Sequence, residues 1–186
     1  MDLNSILFPA PKFSIEYLDE SYEELIFIPK YNNHLYSDEK EVSYVPCLCL
    51  LTGAKKVSRN FCLHFHGNAE DIFIARDISE NIRESLNMNM IVVEYPGYSI
   101  YKEQKSSDKI LSDALAVYDY LTEKLNINED NIYIFGRSIG TSPALFLSSK
   151  RKPAGLILMS PFTSIRDVAE NIVGNIFKFL ISERYI

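Results

Sequence analysis

Histidine is scarce in this 186-residue chain: His34, His64 and His66 are the only three, and none follows position 66. A serine or cysteine nucleophile placed later in the chain would therefore have no downstream imidazole to activate it. Cysteine is equally sparse. Cys47, Cys49 and Cys62 are odd in number and sit in apolar, strand-like runs, which fits buried free thiols in a reducing compartment better than a disulfide framework or a metal cluster. Seven glycines and eight prolines exclude a collagen-like or linker-dominated chain. No run approaches the roughly 18 consecutive apolar residues that a spanning helix requires. The amino-terminal MDLNSILFPAPKF also lacks the basic-then-apolar order of a secretory signal. Positive charge is in deficit, with 19 Lys+Arg against 25 Asp+Glu and a net charge of -6, which argues against general nucleic-acid binding. The expected location is cytoplasmic, with peripheral contact at a membrane left open.

What is present fits one globular domain. Apolar residues make up 47% of the chain and charged residues 24%, enough for a sizeable core at this length. Residues 1–24 read as an extended arm marked by Pro9 and Pro11, and residues 25–186 as the domain. Six strands are expected over Leu25–Pro29, Ser43–Leu51, Asn60–His64, Met90–Tyr95, Asn131–Phe135 and Gly155–Met159. The last four are continuous apolar runs, the pattern of parallel strands covered on both faces. Helical periodicity falls between them, over Ala69–Leu86, Asp108–Leu125, Ser138–Ser149 and Ile165–Ile181. Ser106 or Ser107 is placed to cap the second helix, and Ser164 with Asp167 the fourth. Alternating strands and helices imply an α/β fold with right-handed crossovers.

The sharpest chemical signal is Gly136-Arg137-Ser138-Ile139-Gly140. A G-x-S-x-G pattern becomes informative when a buried strand precedes it and a helix follows, as expected here. Ser138 would then occupy a strained turn at the carboxyl end of the sheet, with Gly136 and Gly140 giving it room. The alternative is a plain glycine-rich turn with a capping serine. His64-Phe65-His66-Gly67-Asn68 closes an earlier strand. Its Gly67-Asn68 turn is placed to supply one of two backbone N–H donors to an oxyanion, Ile139 being the other. His66 is read as a brace of that loop in preference to a catalytic group, His64 as a satisfied core residue, and His34 as a surface one. Glu94-Tyr95-Pro96-Gly97-Tyr98 and Ser160-Pro161-Phe162 end the neighbouring strands, as simple turns or as candidate walls of a substrate pocket.

The order HGNAED, EYPGYS, GRSIGTSPA and SPFTSI resembles the α/β-hydrolase superfamily, and within it the alpha/beta-hydrolase-domain-containing branch that includes protein depalmitoylases. The arm ILFPAPKFS resembles the segment that precedes the core in that branch. The resemblance implies a mostly parallel sheet flanked by helices, with the second strand antiparallel. It implies Ser138 as nucleophile and the Asn68 and Ile139 N–H groups as oxyanion hole. His66, Gly67, Tyr95, Gly97, Tyr98, Gly136 and Gly140 would support the loops or the pocket. Ser99 and Ser142 stand where the branch usually has glycine. The implied reaction is hydrolysis of an ester, thioester or amide through an acyl-enzyme, with acylated proteins as one substrate class and no metal or cofactor.

The same resemblance exposes a gap. Family members carry the triad in the order serine, acid, histidine, and this sequence has no histidine beyond Ser138, its later acids being Asp167, Glu170 and Glu183. Six strands correspond to the first six of eight in the family sheet, so the expectation is a domain truncated after the sixth strand and inactive as this chain. A natural pseudo-hydrolase that binds an acyl group or partner protein is the alternative. A site using His66 as base is a third, weakened by the roughly 3.2 Å reach that proton transfer demands.

Overall fold

A computed structural model describes residues 10–11, 22–32, 41–53 and 57–162. The apolar runs become β1 (Leu25–Asn32), β2 (Glu41–Leu50), β3 (Phe61–Phe65), β4 (Asn89–Val93), β5 (Ile132–Arg137) and β6 (Gly155–Met159). They form one sheet in the order β1-β2-β4-β3-β5-β6. β2 lies antiparallel to β1 and β4, and the β4, β3, β5 and β6 pairings are parallel. Strand patterning explains this division. β4 is buried at every residue, as a strand covered on both faces must be. In β1 and the first half of β2 open residues stand beside buried ones: Phe27 is open and Ile28 buried, Tyr44 open and Val45 buried. At the far edge β6 leaves Leu156, Ile157 and Met159 exposed. The fold is that of an α/β hydrolase.

Among the described residues three helices pack beside the sheet: α1 (Arg76–Leu86), α2 (Ser107–Asp119) and α3 (Thr141–Lys150). Each departs from its expected bounds for a local reason. Helix α1 begins at Arg76 instead of Ala69, because the Asp71 carboxylate accepts the Phe73 and Ile74 N–H groups at 3.1 and 2.9 Å and holds that stretch in turns. Ile74, expected on the apolar stripe, is exposed. Ser106 caps α2, its hydroxyl accepting the Lys109 N–H at 3.4 Å. The helix continues as a π turn over Tyr120–Lys124. The extra residue in that turn rotates Leu125 off the stripe into solvent, while Leu121 stays buried. A 3-10 turn at Ser138–Gly140 precedes α3. The expected helix over Ile165–Ile181 lies outside the described residues, as do His34, the acids Asp167, Glu170 and Glu183, and most of the arm.

Core packing fixes which strand ends meet. Leu63, Phe65, Ile91, Val93 and Ile134 join Val117, Tyr118, Ala144 and Leu147 on one face. Cys62, Met90 and Phe135 pack with Leu50 and Met88 on the other. Burial pushes the Cys62 thiol up to about 12, and all three cysteines are free thiols. Phe65 pairs with Val93 on one side and Gly136 on the other, while Arg137 pairs with Met159. This register brings the loops after β3, β4, β5 and β6 to one edge of the sheet. No helix among the described residues is long and apolar enough to cross a membrane.

Candidate active site

Ser138 follows the last residue of β5 and has φ = 50°. A non-glycine residue in that left-handed region stores strain that only surrounding structure can hold. The two motif glycines show how it is held. A Cβ on Gly140 would stand 2.0 Å from the Phe65 carbonyl oxygen and 2.7 Å from that of His66. A Cβ on Gly136 would stand 2.6 Å from the Gly140 oxygen and 2.8 Å from the Ala144 Cβ. The turn therefore presses against the end of β3 at Gly140 and against the start of α3 at Gly136, so closely that no side chain fits at either glycine. Thr141 Oγ1 donates to the Ser138 carbonyl at 2.7 Å and closes the turn from the helix side.

The loop after β3 is built around a carboxylate that sequence reasoning did not single out. Glu94 is fully buried, and its Oε1 accepts the Tyr95 N–H at 2.9 Å and lies 3.1 Å from His66 Nε2. Its Oε2 accepts the Ser99 hydroxyl at 2.6 Å and the Ile72 N–H at 3.3 Å. A buried carboxylate demands such partners. The signal was its position, an acid directly after the buried run Met90-Ile91-Val92-Val93.

His66 is also fully buried and stacks on Tyr95 at 4.0 Å between ring centroids. Its Nδ1 lies 3.0 Å from the Gly67 oxygen and its Nε2 faces Glu94. Both ring nitrogens are engaged by oxygen acceptors, so neither is placed to take the Ser138 proton. His64 lies inside the sheet with its Nδ1 2.7 Å from Ser79 Oγ. Burial, with the His66 and Arg137 charges, pushes its imidazole down to about 3. It was expected to be fully satisfied, but its Nε2 has no hydrogen-bond partner among the described residues. The reason is packing: that side of the sheet is apolar, and the Phe135 ring lies 4.6 Å away between centroids.

Tyr95 and Tyr98 turn inward. Their hydroxyls donate to the His66 oxygen at 2.8 Å and to Asn68 Oδ1 at 3.0 Å, so both brace the β3 loop from beneath. Burial pushes both hydroxyls well above the ordinary tyrosine range. Between them Pro96 and Gly97 make a tight turn, closed by the Tyr98 N–H on the Tyr95 oxygen at 3.0 Å. Gly97 supplies the required positive φ of 82°. Ser99 has φ = 32° and holds Glu94, so this departure from glycine adds a buried hydrogen bond.

These loops meet beside the Ser138 turn, and the stretch that builds them matches a known family. The family described as alpha/beta hydrolase of unknown function (DUF1057) matches residues 66–172, more than half of the chain. The chain belongs to this family. It is 29% identical over 116 residues to alpha/beta hydrolase domain-containing protein 17C of Mus musculus, covering 62% of this chain and 36% of that protein. It is 30% identical over 125 residues to protein bem46 of Schizosaccharomyces pombe, covering 66% of this chain and 42% of bem46. The matched stretch thus spans less than half the length of either relative. Among solved structures, an alpha-beta hydrolase from Vibrio vulnificus superposes with a TM-score of 0.70 at 19% identity, covering 97% of this chain and 67% of that one.

Proposed function

We propose that Ser138 is the nucleophile of a serine hydrolase acting on an ester, thioester or amide. The observation that carries this reading is the positive φ of Ser138 in a strand-to-helix turn whose flanking glycines admit no side chain. Strain held by the rest of the fold is characteristic of a nucleophile elbow. In this reading Ser138 Oγ attacks the acyl carbon, and the carbonyl electrons move onto oxygen. The Ile139 and Asn68 N–H groups receive that oxyanion. The leaving alcohol, thiol or amine departs with a proton, and water then frees the acid from the acyl-enzyme. A base must take the Ser138 proton. His66 has both ring nitrogens engaged, and His64 lies inside the sheet with its Nδ1 on Ser79 and its ring against Phe135, so this reading assigns neither described imidazole that role.

For substrate, the reading favours a long-chain acyl thioester on a protein. Its support is the resemblance of HGNAED, EYPGYS, GRSIGTSPA and SPFTSI to the branch containing depalmitoylases. The second reading, a non-catalytic module that binds an acyl group or partner protein, draws on the engagement of both His66 ring nitrogens and the burial of His64 inside the sheet. A fluorophosphonate probe applied to the full-length protein separates the two. Labelling at Ser138 that disappears in Ser138→Ala is the expected result. Absence of labelling on folded protein would overturn the hydrolase reading. Release of acid from an S-acylated peptide, compared with a simple ester and an amide, ranks the substrate classes.

A further inference from the structure

We propose that Glu70 and Arg137 form a positioning pair that fixes the β3 loop to the nucleophile turn, a role that rests on the reading of Ser138 above. Glu70 stands two residues after Asn68, and Arg137 directly precedes Ser138. The Glu70 carboxylate spans the gap between them. Its Oε2 accepts the Gly67 N–H at 2.8 Å, and its Oε1 is ion-paired with Arg137 Nη1. The Glu70 N–H in turn donates to the Gly67 oxygen at 3.3 Å. Gly67 is closed in by the same pair: a Cβ there would lie 3.0 Å from Glu70 Oε2 and 3.7 Å from Arg137 Nη1.

Two consequences follow. The Gly67 N–H is spent on a carboxylate, so it is not the donor this loop offers to a developing oxyanion. A carboxylate beside that loop would also repel the oxyanion, and the Arg137 guanidinium neutralises it. Positioning and neutralisation are therefore coupled. Losing Arg137 harms more than losing Glu70, because it frees the negative charge as well as the loop. The pair is partly exposed, with side-chain exposures of 39% for Arg137 and 17% for Glu70. Ion pairs of that kind add little to global stability, so its effect belongs in the reaction rate and in loop mobility.

The test uses the full-length protein, a fluorophosphonate probe and amide hydrogen exchange. Glu70→Gln is expected to lower the maximal inactivation rate about 10-fold and Arg137→Gln about 100-fold, the scale of a misplaced reacting group. The probe's half-saturating concentration and the unfolding midpoint stay unchanged. The double variant falls no further than Arg137→Gln alone, and Arg137→Lys, which keeps the charge, recovers part of the loss. Each single variant speeds exchange in both 66–70 and 137–141. Inactivation rates within twofold of the parent, or faster exchange confined to the mutated loop, would overturn the proposal. If the parent is not labelled at Ser138, the hydrolase reading fails. The exchange data then decide alone: coupled loops keep the pair as a clamp, and uncoupled loops remove it.

Discussion

Two sides of the same site are held by opposite means. The turn at Ser138 is fixed by exclusion: Gly136 and Gly140 let the backbone approach within a distance no side chain tolerates, and little hydrogen bonding is involved. The loops after β3 and β4 are fixed by attraction around one buried carboxylate, with Glu94 joining Tyr95, His66, Ser99 and Ile72. Steric exclusion gives an unyielding geometry from two residues that lack side chains. A buried polar network gives an equally defined geometry but depends on every member, because an orphaned polar group inside protein costs more than the bond it made.

The sharpest way to break the polar side is Glu94→Ala. It leaves His66, Ser99 and two backbone N–H groups without their acceptor, and a loss on the order of 4 kcal/mol is expected. Urea unfolding at constant slope measures it, and a loss under about 1 kcal/mol would mean that the network is not what holds these loops. On the steric side, Gly140→Ala should destabilise by about 3 kcal/mol, since its Cβ meets backbone that cannot rotate away. Ser138 labelling should fall with it. An alanine variant of parental stability would show that β3 and the elbow can separate. The smallest effect comes where the two principles meet. Ser99→Ala removes the hydroxyl from Glu94 while keeping the positive φ, for an expected loss of about 2 kcal/mol. Ser99→Gly removes the same bond but relieves the backbone, so its net change should stay within about 1 kcal/mol. Equal losses in the two variants would show that φ at this position carries no strain.

Legibility followed the same division. The central strands were readable because burial on both faces leaves an uninterrupted apolar run, and every bound of the six lies within about three residues of expectation. The glycine spacing around Ser138 was readable because a steric requirement removes side chains at fixed positions. Helix α1 was misjudged at its start because Asp71 captures two N–H groups that periodicity would assign to a helix. For Tyr95 and Tyr98 the sequence leaves loop support and pocket wall both open, since sequence position gives the loop but not the direction in which a ring points. The tertiary contacts turn both beneath Asn68 and His66. The role of Glu94 is not legible in its motif, because nothing local distinguishes a buried acceptor from an ordinary strand-end acid.

The sequence by itself determined the succession of apolar runs along the chain, the strand-to-helix setting of Ser138 and the distribution of the three histidines. Each of these is a local pattern or a count. Only the tertiary structure decided what those groups touch. It commits His66 to Glu94 and Gly67, leaves His64 with one nitrogen against Phe135, and joins Glu70 to Arg137 across 67 positions of chain. The physical reason is that parallel pairing sets β3 beside β5 and β4. Groups far apart in sequence thereby share one sheet edge, where burial makes every polar contact consequential.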